Sequence, residues 1–273
     1  MKYKFYSDSH VHSDNSPHSS DPIVKICEKA VALQFYSISI LDNCECDLST
    51  ERDYEKSLKQ SFFEVKKAQS SFKDQLNIFS GIEIGQPHRN KLFTLKALDV
   101  ANFDYILGAV HRLRSLSDFF DMDYSENDVY EVLDTYFDEI LEVIEFGYFD
   151  SLAHFNYPVK YITKHFGIKL DSDKICRKVR MILEKLAKAE KALEISLSLN
   201  LKGDGSILSN KNLLQEFKKA GGKYITIGSG AHDSTTLGQD LDEAFSLILD
   251  SGFDKFTIFK GRVPILLPIL QEK

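Results

Sequence analysis

The sequence predicts an α/β fold, a closed parallel barrel in a single domain spanning residues 1–273. Three observations predict it. Short runs of β-branched and aromatic residues alternate about eight times with longer stretches of helical periodicity, as parallel strands joined by crossover helices require. No long linker or composition break divides the chain. Its 273 residues, 43% of them hydrophobic, are enough for the one large core that such a barrel needs. An open doubly wound sheet is the alternative allowed by the same alternation.

The first strand-like run covers residues 3–9. Ser20-Asp21-Pro22 then offers a cap with proline in the first turn, and Ile23, Ile26, Cys27, Ala30 and Val31 share one helix face. Strand-like runs follow near 36–41, 77–84 and 104–110. The spacing of Val129, Leu133, Tyr136, Phe137, Ile140 and Ile144 predicts a helix that Gly147 closes, since glycine accepts the left-handed backbone of a C-terminal cap. After a run near 149–154, Ile175, Val179, Ile182 and Leu186 repeat the helical period. Runs near 192–198, 223–229 and 255–259 complete the alternation. The connections at 112–126 and 155–171 exceed a minimal loop and are expected to help cover a site. No internal repeat or low-complexity tract is present.

Charge narrows the function. With 34 basic and 41 acidic residues the net charge is −7, which argues against nucleic acid as a partner, because that needs a basic face. Cys44 and Cys46 stand one residue apart, too close for the usual zinc pair, and Cys27 and Cys176 complete no second one. Reduced thiols are expected. The start MKYKFYSDSH has no apolar core, and the apolar stretch 263–270 is short and carries two prolines. Neither fits a membrane span, so the cytoplasm is the expected location.

Position carries the chemistry, because the C-terminal ends of parallel barrel strands share one mouth. Strand one ends in Ser7-Asp8-Ser9-His10-Val11-His12, strand two in Leu41-Asp42-Asn43 and strand three in Gly81-Ile82-Glu83. Strand four ends at His111, strand five at His154 and strand seven at His232. His10 and His12 are two apart, so on extended backbone both imidazoles lean to one side. Each residue alone has a plain reading: His18 a cap or surface residue, Glu83 a buried carboxylate, His111 and His154 core histidines, His232 a helix cap. For all of these to hold at every strand end is improbable. His88 and His165 lie off the strand ends and keep the plain reading. Imidazoles with one carboxylate suit Zn²⁺, Fe²⁺ or Mn²⁺ better than Ca²⁺ or Mg²⁺. Two or three such ions would activate water and clamp a phosphoryl group, so a small phosphorylated substrate is the expected partner. Arg112, Lys160, Lys202 and Arg262 follow strand ends and are candidate counter-charges for it.

The segments DSHVHSDNSPHSS, GIEIGQPHR, GAVH, LAHFNYPVKY, GSGAHDSTTLG and FTIFKGRVP occur in order over nearly the whole chain. Together they resemble the PHP (polymerase and histidinol phosphatase) superfamily, and the histidine after proline at His18 resembles its histidinol-phosphate phosphatase branch. The resemblance implies a distorted (β/α)7 TIM-like barrel and a trinuclear site. His10 and His12 would hold the first ion with bridging Glu83; Glu83, His111 and His154 the second; His18 and His232 the third. It also implies Zn, Mn or Fe, and cleavage of L-histidinol phosphate to histidinol and phosphate in histidine biosynthesis. The chain departs from the pattern in several places. Asn43 stands where the family has His and is a weaker ligand. Gly230 stands where the family has an Asp that completes the first ion's shell and handles the proton of the attacking water. Asp233, Asp42 or a metal-bound hydroxide would then take over as the base. Lys160 and Lys202 replace arginines and lose the bidentate grip on phosphate, and Ser196-Leu197 replaces Asn-Thr. These departures leave two alternatives: an impaired homologue that binds without turnover, and a phosphoesterase with another substrate.

Overall fold

The computed structural model describes residues 2–48, 54–114, 117–197 and 208–271. Seven parallel strands stand side by side in chain order: β1 (Ser7–Val11), β2 (Ser37–Glu45), β3 (Asn77–Gly85), β4 (Tyr105–Ala109), β5 (Ser151–Leu152), β6 (Ala192–Ser196) and β7 (Ile225–Gly228). The sheet curls until its edges meet. Gly230 N donates to His10 O at 2.9 Å, and His12 N donates to Ala231 O at 2.9 Å. The result is the distorted seven-stranded barrel, nearly closed.

The eighth strand-like run takes a different place from the one its alternation predicts. β8 (Lys255–Lys260) pairs antiparallel with β9 (Val263–Pro268) in a separate hairpin. Gly261 (φ 56°) and Arg262 (φ 65°) form its two-residue turn, with both residues in the left-handed region that tight hairpins use. Since β1 already bonds the segment after β7, no edge is open to an eighth parallel strand. The hairpin closes the N-terminal end of the barrel. Phe259 stacks on Tyr105 with ring centroids 5.1 Å apart and planes 6° from parallel. Both belong to a buried cluster with Leu41, Leu107, Ala109, Ala153 and Ala192.

Helices α1 (Ile23–Ala32), α2 (Tyr54–Ser71), α3 (Lys91–Leu98), α4 (Val129–Phe146), α5 (Tyr157–Lys160), α6 (Ser172–Lys188), α7 (Asn210–Lys219) and α8 (Leu241–Asp250) connect the strands. Pro22 sits at the N-cap of α1, one residue earlier than expected, while Gly147 ends α4 at φ 76° as expected. The predicted face of α4 packs Leu133, Tyr136, Phe137 and Ile140 into one buried cluster with Val179, Ile182 and Leu186 of α6. Each such side chain contributes about 1.5–3 kcal/mol of burial, which holds the outer layer in place and so fixes the strand ends. The four cysteines form no disulfide among the described residues. No helix among them is long and apolar enough to cross a membrane.

Candidate metal centre

Strand register brings the ligands together. His10 lies on β1 with His12 just beyond it, and their Nε2 atoms are 3.0 Å apart. Glu83 on β3 stands beside them: Oε1 is 3.5 Å from His10 Nε2 and Oε2 is 3.7 Å from His12 Nε2. On the other side, Glu83 Oε1 is 3.3 Å from His111 Nε2 and 3.2 Å from His154 Nε2. His111 and His154 approach each other at 3.3 Å through the same nitrogens. Among the described residues, two groups therefore have the spacing to hold an ion, His10–His12–Glu83 and Glu83–His111–His154. They share Glu83.

Two further carboxylates aim the rings. Glu194 on β6 places Oε1 2.7 Å from His10 Nδ1, and its Oε2 accepts from the backbone N–H of His154 at 2.8 Å. Glu45 on β2 places Oε1 2.7 Å from His111 Nδ1. With a proton on each Nδ1, the Nε2 lone pairs face the centre, which is the tautomer a ligand needs. Glycines make room for both carboxylates. A Cβ on Gly85 would lie 2.4 Å from Glu45 Oε2, and one on Gly228 would lie 2.3 Å from His10 Cβ and 2.5 Å from Glu194 Oε1. Sequence reasoning did not single out either carboxylate. The available signals were period-two spacing from Asn43 to Glu45, and a charged residue inside the buried strand Ala192–Ser196.

The electrostatics demand positive charge at the centre. Burial penalises every ion here, yet Glu194 and Glu83 push the His10 imidazole up to about 10. Against the same penalty, Glu45 and Glu83 hold His111 well above its ordinary value. Burial also opposes ionisation of Glu83, but His10 and His111 keep it well below the usual carboxylate range. For His12, burial and the neighbouring His10 charge act together and hold it neutral. His154 Nδ1 is buried without a hydrogen-bond partner among the described residues. Four imidazoles around one shared carboxylate make a donor set that fits divalent transition-metal ions.

The other expected residues lie as follows. His18 is exposed, at φ 65°, and belongs to neither triad. His232 sits at the rim with its ring stacked 4.6 Å from that of His12, and its Nδ1 is 2.8 Å from Ser19 Oγ. Asn43 points its amide nitrogen at Glu45 Oε1 (3.0 Å) and Glu83 Oε2 (3.1 Å). The expectation of Asp42 as a base is corrected: it is buried and accepts hydrogen bonds from Ser13 N, Ser13 Oγ, Ser16 Oγ and Ser61 Oγ. It anchors the His12–Ser16 turn. Asp233 accepts from Thr235 and Thr236 backbone N–H groups at the start of its own loop. Gly230 (φ 62°), Ser229, His232 and Asp233 line a cavity of about 470 Å³ beside the first triad.

The proposed counter-charges divide in the same way. Lys160, half-buried, follows β5 on the ligand-bearing rim, and burial lowers its pKa. Arg112 is on that rim too, with Nη2 2.6 Å from Asp47 Oδ1. Lys202 lies outside the described residues. Arg262 is corrected: it pairs with Asp150 at 2.9 Å and bonds Asp104 O through its backbone, both at the N-terminal ends of strands. The hairpin turn carries it to the barrel end opposite the ligands.

The chain is similar to known proteins over most of its length. A histidinol-phosphatase of Lactococcus lactis is 28% identical over 258 residues, covering 93% of this chain and 94% of its own. The crystal structure of histidinol phosphate phosphatase from that organism, in complex with zinc, L-histidinol and phosphate, matches with a TM-score of 0.83 at 26% identity. That match covers 96% of this chain and 99% of the other. A structure from Listeria monocytogenes matches with a TM-score of 0.72 at 18% identity, covering 87% of this chain and 99% of its own, which bears on fold alone. Residues 8–198 match the family model of the PHP domain, a span that begins just before His10 and reaches past Glu194. The chain belongs to the PHP domain family.

Proposed function

We propose that the chain hydrolyses a phosphate monoester, L-histidinol phosphate, to L-histidinol and phosphate. The observation that carries this reading is Glu83 shared between His10–His12 and His111–His154. Similarity over nearly the whole length to a histidinol-phosphatase supports the substrate. Two divalent ions held by these five residues would lower the pKa of a water between them and neutralise phosphoryl oxygens. The chain's own residues supply the rest. Glu194 and Glu45 keep His10 and His111 in the ligating tautomer. Lys160 adds positive charge on the same rim, and Arg112 is held in place there by Asp47. The cavity beside Gly230 and His232 has the size of a small-molecule site.

Gly230 favours a second reading. With no carboxylate at that position and Asp233 engaged by its own loop, the proton of the attacking water lacks the base that the family places there. On that reading the chain binds metal and phosphorylated ligand without turnover. One experiment separates the two: elemental analysis of the reconstituted protein, run beside phosphate release from L-histidinol phosphate and a panel of other monoesters. Release that is selective for L-histidinol phosphate supports the first reading. Bound metal without release from any ester supports the second, and faster release from another ester reassigns the substrate.

A further inference from the structure

The geometry points to Asn43 and Glu45 as a positioning pair that takes the place of a third ion, leaving a centre of two. This inference rests on the metal-dependent reading above.

Register puts Asn43 directly across from Glu83 in the β2–β3 pair, and Glu45 across from Gly85. Both β2 side chains therefore face the ligands, two residues apart. The Asn43 amide nitrogen lies 3.1 Å from Glu83 Oε2 and 3.0 Å from Glu45 Oε1. Ionised carboxylates only accept, so the amide must present its two N–H groups to them. An amide ligand would present its oxygen to a cation instead. Turning Asn43 over for that purpose would set its oxygen against two carboxylates. A cation beside Glu83 Oε2 and Glu45 Oε1 would therefore meet the N–H groups of the amide and not its oxygen.

The backbone of Asn43 is fixed as well. Its N–H donates to Ser16 Oγ at 2.9 Å, and that hydroxyl donates to Asp42 Oδ1 at 2.6 Å. The amide is thus held between the bridging carboxylate and the one that aims His111. Its hydrogen bond to Glu83 Oε2 opposes rotation of that carboxylate, so Oε1 keeps facing His111 and His154 while Oε2 keeps facing His12. A cation on this side of Glu83 would serve the same electrostatic end. Gly85 completes the device, because any Cβ there would strike Glu45 Oε2. The remaining third-site residues are not gathered for an ion. Among the described residues, His18 is exposed and neither His18 nor His232 belongs to a group with the spacing to hold an ion.

The test is metal counting and metal affinity on the full chain, with Zn²⁺ as the probe. Wild type is expected to hold two ions after dialysis, and three would overturn the inference. Asn43→Leu, checked for native circular dichroism, is expected to bind Zn²⁺ at least tenfold more weakly in chelator competition; unchanged affinity would overturn it. Asn43→His removes the donor and adds an imidazole, and is expected to raise the count to three, so a count of two would also overturn it. Should Asn43→Leu fail to fold, the wild-type and Asn43→His counts still decide. Phosphate release by the wild type is scored separately. A wild type that binds no Zn²⁺ sinks both this inference and the metal-dependent reading, whereas two ions with release and an unaffected Asn43→Leu sink this inference alone.

Discussion

Replacing Glu194 by glutamine removes one negative charge from the centre and changes little in volume. The glutamate side chain is 1% exposed, so no water is at hand to compensate. In the wild type its two oxygens accept from His10 Nδ1 at 2.7 Å and from His154 N at 2.8 Å. Glutamine has one oxygen and one NH2 group, so either His10 Nδ1–H or the His154 N–H would face another donor. A buried donor left in that state costs about 1–3 kcal/mol of stability. His10 also loses the carboxylate that raises the basicity of its ligating nitrogen. Changes of this kind lower metal affinity by about 10–100-fold, or about 1.4–2.7 kcal/mol. Competition with a chromophoric chelator at pH 7.5 reads the affinity, and denaturant unfolding of the metal-free protein reads the stability. Zinc affinity within twofold of wild type, in a variant that has lost stability, would refute the assignment of Glu194 as the residue that aims His10. It would leave Glu194 a structural acceptor only.

Other outcomes follow from the same geometry. Gly228→Ala should lose metal and about 1–3 kcal/mol of stability, measured by elemental analysis and denaturant unfolding, because the new Cβ would strike the Cβ of His10. Phe259→Ala should cost about 3–5 kcal/mol by denaturant unfolding yet keep its zinc affinity, since the ring plugs the barrel end away from the ligands. Chelator should lower the melting temperature by on the order of 10 °C when free zinc had been about a thousandfold above its Kd; a melting temperature unmoved by EDTA would remove the metal centre. The pH dependence should differ in sign between metal-free and metal-loaded protein. In the metal-free protein His10 is raised to about 10 from 6.5, so its contribution is complete below about pH 6.5 and is lost as pH climbs through 10. Glu83 is lowered from 4.5, so its contribution is present above about pH 4.5 and is lost as pH falls further. These two groups place the stability maximum of the metal-free protein between about pH 4.5 and 6.5. Metal must displace the His10 proton, so zinc affinity should instead rise with pH from 6 toward 9, as a zinc titration at several pH values would show.

The parts legible in the sequence share a physical basis. Period-two spacing and the strand-end rule brought out His10, His12, Glu83, His111 and His154, because a strand fixes which way successive side chains point. The faces of α4 and α6 were legible for the equivalent reason at the helical period. The residues that escaped depend on contacts between distant strands. Glu194 reaches His10 across 184 residues and Glu45 reaches His111 across 66, and local periodicity holds no record of either meeting. The eighth strand-like run was misplaced because period and composition fix a strand, not its partner. Its fate was decided by the left-handed turn at Gly261 and Arg262, which carried Arg262 to the far end of the barrel.

The departures in strand two and after strand seven have different consequences, and the structure separates them. Gly230 removes a carboxylate beside the first triad, and both aspartates considered in its stead are engaged elsewhere: Asp42 is bound to three serines and Asp233 to its own loop. Asn43 also removes a metal-ligand type, but its two N–H groups enter a bridge between Glu83 and Glu45. A lost base lowers the rate of proton transfer while leaving ion binding intact, whereas an altered bridge acts first on the ions. If turnover is weak in this chain, restoring Gly230→Asp should raise phosphate release at a fixed metal content. Asn43→His should change the metal content itself. A Gly230→Asp variant with unchanged phosphate release and full zinc occupancy would show that the chain does not depend on a base at that position.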